Sequence, residues 1–134
     1  MTRFRRTLEA TIDYLSGYDH VLEVGIGRRP DVAGGLVEQG VTVTATDVYP
    51  RSVPEGVRFV EDDVVDPDLD YYEGAEVVFA RNLPPELHRP VLTVARRVDA
   101  DCCFTTLGGD QPAVPVRRVT IPGDTLYVTR ADRR

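Results

Sequence analysis

The chain has 134 residues and a formal net charge of −6 at pH 7, with 42% hydrophobic and 28% charged residues. These values are typical of a single globular domain over residues 1–134 that is large enough to bury a core. No apolar run is long enough to span a membrane, and the basic N-terminus lacks the apolar stretch of a secretory signal. We therefore expect a cytoplasmic protein. The acidic balance argues weakly against a general nucleic-acid binder, which needs clustered positive charge.

All sixteen basic residues are arginine. An acidic excess without lysine resembles the composition of proteins from salt-loving archaea, so we expect a halophilic protein. The adjacent Cys102 and Cys103 are predicted to be buried on a strand, where neighbouring side chains point to opposite faces and cannot pair. No set of histidines and cysteines has the spacing of a metal site.

The first part of the chain predicts a helix, a strand and a second helix. Apolar residues at helical spacing predict a helix over residues 3–16. A strand is expected at 20–24. The second helix is expected to begin near Pro30, which suits the first helical position, and to end at Gly40.

The remaining elements predict a mostly parallel sheet. Strands are expected at 41–46, 57–60, 76–80 and 102–107, an acidic loop at 61–70, a helix from 85 to about 98, and a closing hairpin at 114–121 and 125–129. This order predicts an α/β, Rossmann-like sheet of about seven strands with a C-terminal antiparallel hairpin. The connection after the second strand is short for a helical crossover. One sheet face is therefore expected to be thinly covered, and a partner chain could cover it in a homo-oligomer.

A glycine turn at residues 21–31, VLEVGIGRRPD, is the most informative stretch. Gly25 and Gly27 would let the backbone approach a ligand, and the following helix start offers unpaired N–H groups. Asp47 lies at the end of the next strand, where its carboxylate can accept hydrogen bonds from both hydroxyls of a ribose. These residues predict a site for a small nucleoside-type ligand. The alternative interpretation is an ordinary strand-to-helix turn, with a strand-end aspartate that caps the following turn.

The pattern Val-Leu-Glu-Val-Gly-x-Gly at 21–27 resembles the first motif of S-adenosylmethionine-dependent methyltransferases. The resemblance implies S-adenosylmethionine as the cofactor, with Glu23 and the two glycines around its methionine portion and Asp47 at its ribose. Its sixth position is Pro30, whereas an NAD-type fingerprint has glycine or alanine there, so an NAD-type binder is less favoured.

Later segments continue the resemblance. Residues 59–64 are similar to the third motif of that family, which implies that Asp63 meets the adenine amino group; Asp62 falls where the family often has glycine. Arg29 replaces a glycine that is frequent in the family's loop. Both Arg28 and Arg29 could pair with the methionine carboxylate or point to solvent.

Residues 81–85 lie where methyl transfer would occur in that family. They loosely resemble its Asn-Pro-Pro-aromatic motif for amino substrates, with Leu83 inserted and Glu86 in place of the aromatic residue. The two prolines have no N–H, so Asn82 cannot cap the helix in the usual way. Arg81 and Asn82 are the predicted catalytic residues, facing the substrate, although an asparagine in a loop has many other uses. His88 is a less favoured candidate for a general base.

More narrowly, the short chain and its glycine turn resemble a family of small archaeal proteins of unknown function with a methyltransferase-like Rossmann fold. The first hypothesis is a methyltransferase of unknown substrate, whose catalysis mainly aligns a nucleophile with the methyl group. The second is a non-catalytic nucleoside-binding or regulatory module on the same fold, because a fold does not determine an activity. The absence of an inserted lid or substrate domain favours the second.

Overall fold

Three α-helices, one short 3-10 helix and seven strands make up residues 2–132, the part of the chain that the computed structural model describes. The helices are α1 (Arg3–Leu15), α2 (Asp31–Glu38) and α3 (Pro85–Arg97), and the 3-10 helix is Leu69–Tyr72. The strands are β1 (His20–Val24), β2 (Thr42–Asp47), β3 (Val57–Glu61), β4 (Val77–Ala80), β5 (Asp101–Phe104), β6 (Arg117–Ile121) and β7 (Asp124–Thr129).

The strands form one mixed sheet in the order β3-β2-β1-β4-β5-β7-β6. The first five strands in this order pair in parallel, and β7 lies antiparallel between β5 and β6. This arrangement confirms the predicted Rossmann-like fold with its closing hairpin. The chain leaves β1 toward β2 on one side, and β4 lies on the other. The carboxyl ends of β1 and β4 therefore flank the switch point at which open α/β sheets bind ligands.

The central strands are buried on both faces because helices cover each of them. Residues of α1 and α2 pack with Val21, Val43 and Phe79 on one face. Residues of α3 and the 3-10 helix pack with Leu22 and Phe104 on the other. Continuous apolar strands such as Val77–Ala80 are typical of such doubly covered parallel sheets.

The two cysteines follow this alternation. Cys102 belongs to the core on the α3 face and Cys103 to the core on the α1 face. Both are free and buried, as their positions on a strand predicted. Burial raises the pKa of the Cys102 thiol to about 12, and it also raises the pKa of Cys103.

The sequence placed some strand ends wrongly. The fifth strand was expected at 102–107, but β5 ends at Phe104, because the Thr105 carbonyl accepts from Leu83 N–H in the loop after β4. The sixth strand was expected from 114 but begins at Arg117. Pro115, which has no N–H to donate, precedes it. The acidic loop ends in a 3-10 helix that the sequence did not predict, with the Asp68 carboxylate accepting from Asp70 N–H.

The connection from β2 to β3, residues 48–56, contains no helix. Val53 packs against the same core as α2, and a Cβ added to Gly34 would contact Pro54 at 3.5 Å. A loop therefore takes the place of a crossover helix, and the side chains of β3 are exposed or only half-buried. An oligomer formed through this part of the sheet stays a prediction. None of the helices in residues 2–132 is long and apolar enough to cross a membrane.

Candidate functional site

The turn after β1 exposes its backbone at the carboxyl edge of the sheet. Gly25 and Gly27 have positive φ values of +69° and +58°, a backbone conformation that residues with a Cβ rarely adopt. The N–H groups of Gly25 and Ile26 donate to the Thr46 carbonyl at 2.9 and 3.0 Å, so β2 holds the turn in place. A Cβ added at Gly25 would meet nothing within 4 Å, and one at Gly27 would meet only the Gly25 carbonyl at 3.9 Å. The two glycines therefore face open space.

Asp47 lies directly against this turn. Its Oδ2 accepts from Gly27 N–H at 2.8 Å, and its Oδ1 accepts from Tyr49 N–H at 3.0 Å. The guanidinium of Arg51 approaches Oδ2 at 3.3 Å. The structure thus brings the glycines and the carboxylate together, while the role of Asp47 toward a ligand stays a prediction.

Asp62 and Asp63 have different environments at the end of β3. Asp62 accepts from the Tyr72 hydroxyl at 2.8 Å and from Asp68 N–H at 3.1 Å, so it anchors the loop internally. Burial, and then this hydrogen bond, raise the pKa of Tyr72. Asp63 is exposed, and its Oδ1 accepts from Val65 N–H at 2.9 Å. Of these two carboxylates, the one predicted to meet a ligand is also the one at the surface.

Three large apolar side chains are exposed to solvent just after the carboxyl ends of β2 and β3. Val48 is 52% exposed, and Tyr49 and Val65 are each 63% exposed. Each lies within two residues of Asp47 or Asp63 in the chain. Sequence reasoning missed them, although apolar residues directly after a strand-end aspartate were a usable signal. They offer an apolar surface beside the carboxylates for a planar group.

Glu23 is a buried carboxylate at the end of β1, only 2% exposed. Its Oε2 lies 3.9 Å from Arg81 Nε, and its Oε1 has no hydrogen-bond partner. Burial raises the pKa of Glu23 to about 8, although the charge of Arg81 opposes this. A buried carboxyl oxygen without a partner is costly, so it marks a position where a ligand donor would be stabilised.

Arg81, at the end of β4, binds within the protein. Its Nη2 donates to Asp31 Oδ1 at 2.6 Å and to the Arg29 carbonyl at 2.7 Å. Burial opposes ionisation of Asp31, but the hydrogen bond and charge of Arg81 outweigh it and hold the pKa of that carboxyl below its usual value. Arg81 therefore ties the loop after β4 to the turn after β1. Its predicted role toward a substrate stays a prediction.

Asn82 has a left-handed backbone, with φ +50°. Its N–H donates to Thr105 Oγ1 at 2.8 Å. Pro84, not Asn82, is the N-cap of α3, and it makes no side-chain capping bond. Within residues 2–132 the carboxamide of Asn82 makes no hydrogen bond, so it is available to a ligand.

A pocket of about 310 Å³ adjoins Arg81 and Asn82. Its walls come from the first turns of α1, the start of α2, Thr105 after β5 and the turn between β6 and β7. The predicted residues Gly25, Gly27, Asp47 and Asp63 do not line it. The predicted site is thus divided into an open surface at β2 and β3 and a pocket at β4 and β5.

His88 is fully buried, and both of its nitrogens are engaged. Ala113 N–H donates to Nδ1 at 3.0 Å, so Nε2 carries the proton and donates to the Leu83 carbonyl at 2.9 Å. The ring therefore joins the loop after β4 to the loop before β6. This burial leaves it unable to reach a substrate, contrary to the less favoured expectation of a general base.

The strand order and strand directions define a methyltransferase-like Rossmann fold. A TehB-like SAM-dependent methyltransferase from Corynebacterium glutamicum superposes with a TM-score of 0.67 at 17% identity, covering 93% of this chain and 88% of that one. An RNA methyltransferase from Salinibacter ruber, solved with S-adenosyl-L-homocysteine, gives a TM-score of 0.64 at 18% identity over 91% and 88% of the two chains. At these identities the likeness shows the fold alone.

The chain belongs to the uncharacterised protein family UPF0146, which it matches over residues 7–131. A UPF0146 protein of Halobacterium salinarum is 52% identical over 117 residues, covering 87% of this chain and 91% of the relative. This membership confirms the expected likeness to a small archaeal family. The halophilic source of that relative agrees with the acidic, lysine-free composition.

Proposed function

We propose that this protein binds S-adenosylmethionine at the carboxyl edge of β1, β2 and β3 and transfers its methyl group to a small substrate. One observation carries the proposal. Gly25 and Gly27 have positive φ and face open space, and the Asp47 carboxylate accepts a hydrogen bond from Gly27 N–H. The likeness to methyltransferase folds supports the choice of this cofactor over other nucleosides.

The residues present fit the cofactor. The exposed Val48 and Val65 suit the faces of an adenine, and the exposed Asp63 carboxylate suits its amino group. Asp47 retains acceptor capacity for ribose hydroxyls once Arg51 moves aside. An ammonium group near the unpartnered Oε1 of Glu23 would stabilise the ionised form of that carboxyl.

The chemistry of the bound cofactor is that of an electrophilic methyl group on a sulfonium. The protein's part is to align the acceptor atom with that methyl group and to exclude water. Arg81 fixes the loop after β4 against the glycine turn, and His88 fixes the same loop from the core. Asn82 lies in the loop held by these two residues, and we assign its free carboxamide to binding the acceptor.

A non-catalytic nucleoside-binding module remains the second candidate, and one observation favours it. Among the described residues that line the pocket there is no histidine or cysteine, and the carboxylate of Asp124 already accepts from Thr125 N–H. A substrate that needs deprotonation would therefore have only the Asp124 carboxylate as a base among these lining residues. Methyl transfer from labelled cofactor to cell extract separates the two candidates.

Cofactor binding is tested by adding one methyl group to the glycine turn. Gly25→Ala and Gly27→Ala meet no protein clash, and each strains a left-handed backbone by about 1–2 kcal/mol. Gly40→Ala is the matched control, since Gly40 has φ +85°, nothing within 4 Å of the added Cβ, and a position beyond α2. All three variants should lose similar stability in urea titrations.

We expect calorimetric titration with S-adenosylhomocysteine to show binding to the wild type and Gly40→Ala, and a loss of at least about tenfold in the two turn variants. Binding that survives in both turn variants would refute the proposed site. Tighter binding of NAD than of S-adenosylhomocysteine would refute the choice of cofactor.

A further inference from the structure

We infer that the pocket of about 310 Å³ beside α1 binds a small molecule with an anionic group on an apolar body. The claim that this molecule is the methyl acceptor rests on the proposed function. The claim that it binds in this pocket does not. Three arginines line the pocket, whereas Asp124 is the one acidic residue among the described residues that do so. This cationic lining is unusual in a chain with a net charge of −6.

The three arginines come from separate segments. Arg3 begins α1, Arg29 follows the glycine turn, and Arg81 ends β4. Arg81 has Asp31 as a partner at 2.6 Å. Within the described residues, Arg3 and Arg29 form no ion pair. The fold therefore places at one small cavity two guanidinium groups that lack an ion-pair partner, where each can bind a carboxylate or phosphate through paired N–H donors.

The remaining wall is suited to an apolar body. Phe4, Leu8 and Val32 line the pocket, and the Phe4 side chain is 58% exposed. The Arg29 guanidinium lies 5.7 Å from the centroid of the Phe4 ring, so cation and ring already share one boundary of the cavity. A molecule that places its anionic group at the arginines would bring its apolar part against these side chains.

The size and position of the pocket favour a small molecule over a nucleic acid. Its volume lies at the lower end of the range for small-molecule sites, about 300–1,000 Å³. The backbone of a nucleic acid needs several positive charges along an extended surface, and the chain as a whole is acidic. Asn82, which the proposed function assigns to the acceptor, and Thr105 also line the pocket.

The test uses benzoate as the anionic probe and benzamide as its neutral isostere. Each is titrated into the 134-residue chain and followed by nuclear magnetic resonance, with and without saturating S-adenosylhomocysteine, at one fixed salt concentration. We expect benzoate to bind in both conditions and benzamide to bind at least about tenfold more weakly.

Arg3→Gln and Arg29→Gln should each weaken benzoate binding by about tenfold or more. Arg5→Gln is the control, because Arg5 is exposed on the same helix and lies outside the pocket lining. Neither Arg3→Gln nor Arg5→Gln should change S-adenosylhomocysteine binding. An unchanged benzoate affinity in both pocket variants would overturn the inference.

Other outcomes separate this inference from the proposed function. Benzoate binding without any S-adenosylhomocysteine binding would keep the anion site and remove the methyltransferase. S-adenosylhomocysteine that displaces benzoate would assign the arginines to the cofactor's own carboxylate and overturn the inference. Equal binding of benzamide, or tighter binding of a short single-stranded oligouridylate than of benzoate, would overturn it as well.

Discussion

The two halves of the carboxyl edge hold their charged side chains in different environments. At β2 and β3, Asp47 is hydrogen-bonded to two backbone N–H groups, and the surface around it is open. Beside β4, the mostly buried Arg81 contacts Asp31 and lies near the buried Glu23, and a partly open pocket adjoins it. In the first half, backbone N–H groups fix the position of the carboxylate. Glu23, on the neighbouring strand β1, lies 3.9 Å from Arg81 of this second half, and its Oε1 has no hydrogen-bond partner.

This contrast indicates which carboxylate lowers the free energy of unfolding. A satisfied carboxylate at a turn stabilises the fold, whereas a buried and partly unpaired one destabilises it. We therefore expect removal of charge to have opposite effects on the free energy of unfolding in the two halves. Substitutions of Glu23, Asp47 and Arg51 test that expectation.

The largest effect is expected from Glu23→Gln. An unfolded chain releases the Glu23 proton near the ordinary pKa of 4.5, whereas the folded protein holds it up to about pH 8. Wild-type stability should therefore fall as the pH rises from about 5 to 8 and then level off, a loss on the order of 4 kcal/mol. Glutamine has no proton to release, so the variant should lack this loss and be the more stable protein at pH 8.

Urea titrations of both proteins across this pH range measure the difference. Glu23→Gln should also bind S-adenosylhomocysteine more weakly, because it loses the carboxylate for the cofactor's ammonium group. Parallel stability curves for the two proteins would show that Glu23 is ionised in the folded state throughout, and the proposed destabilisation would be wrong.

A smaller effect of opposite sign is expected from Asp47→Asn. Asparagine keeps only one of the two carboxylate oxygens, so it cannot retain both hydrogen bonds, from Gly27 N–H to Oδ2 and from Tyr49 N–H to Oδ1. It also loses the negative charge that faces Arg51. We expect a destabilisation of about 2 kcal/mol and at least about tenfold weaker binding of S-adenosylhomocysteine. Chemical denaturation and calorimetry measure the two effects.

Asp13→Asn is the control for this substitution, because Asp13 is exposed on α1 and its carboxylate makes no interaction within residues 2–132. The comparison of the two halves fails if Asp47→Asn stabilises the protein as Glu23→Gln is expected to do.

The smallest effect is expected from Arg51→Gln. Arg51 Nε lies 3.3 Å from Asp47 but makes no hydrogen bond although it is buried, so we expect the pair to contribute less than about 1 kcal/mol. Because Arg51 occupies part of the carboxylate that a ribose would need, its removal should tighten S-adenosylhomocysteine binding a few-fold. Arg58→Gln is the matched control, since Arg51 and Arg58 both lie over a tyrosine ring but only Arg51 contacts Asp47. Weaker binding in Arg51→Gln alone would mean that Arg51 itself holds the ligand.

The sequence predicted the parts of this structure that depend on local pattern. Strand β1, the glycine turn and the position of Asp47 follow from apolar runs and a spacing of twenty residues, and the fold order follows from alternation. The end of β5 did not follow, because it depends on a hydrogen bond from the distant Leu83.

The pocket could not be predicted in the same way. Its walls join Phe4, Arg29, Arg81 and Asp124, which only the packed fold brings together. The partners of Arg81 and His88 are equally remote in sequence, at the glycine turn and before β6.

The neighbouring thiols on β5 give this protein a built-in reporter of how its interior opens. Cys102 faces one hydrophobic layer and Cys103 the other, and a thiol held protonated by burial reacts slowly with alkylating reagents. Each cysteine becomes reactive only when its own layer separates from the sheet. Mass spectrometry of the alkylated peptide would therefore distinguish two cases. If both helical layers separate from the sheet together, both cysteines are alkylated at the same rate, whereas separation of one layer first alkylates one cysteine before the other.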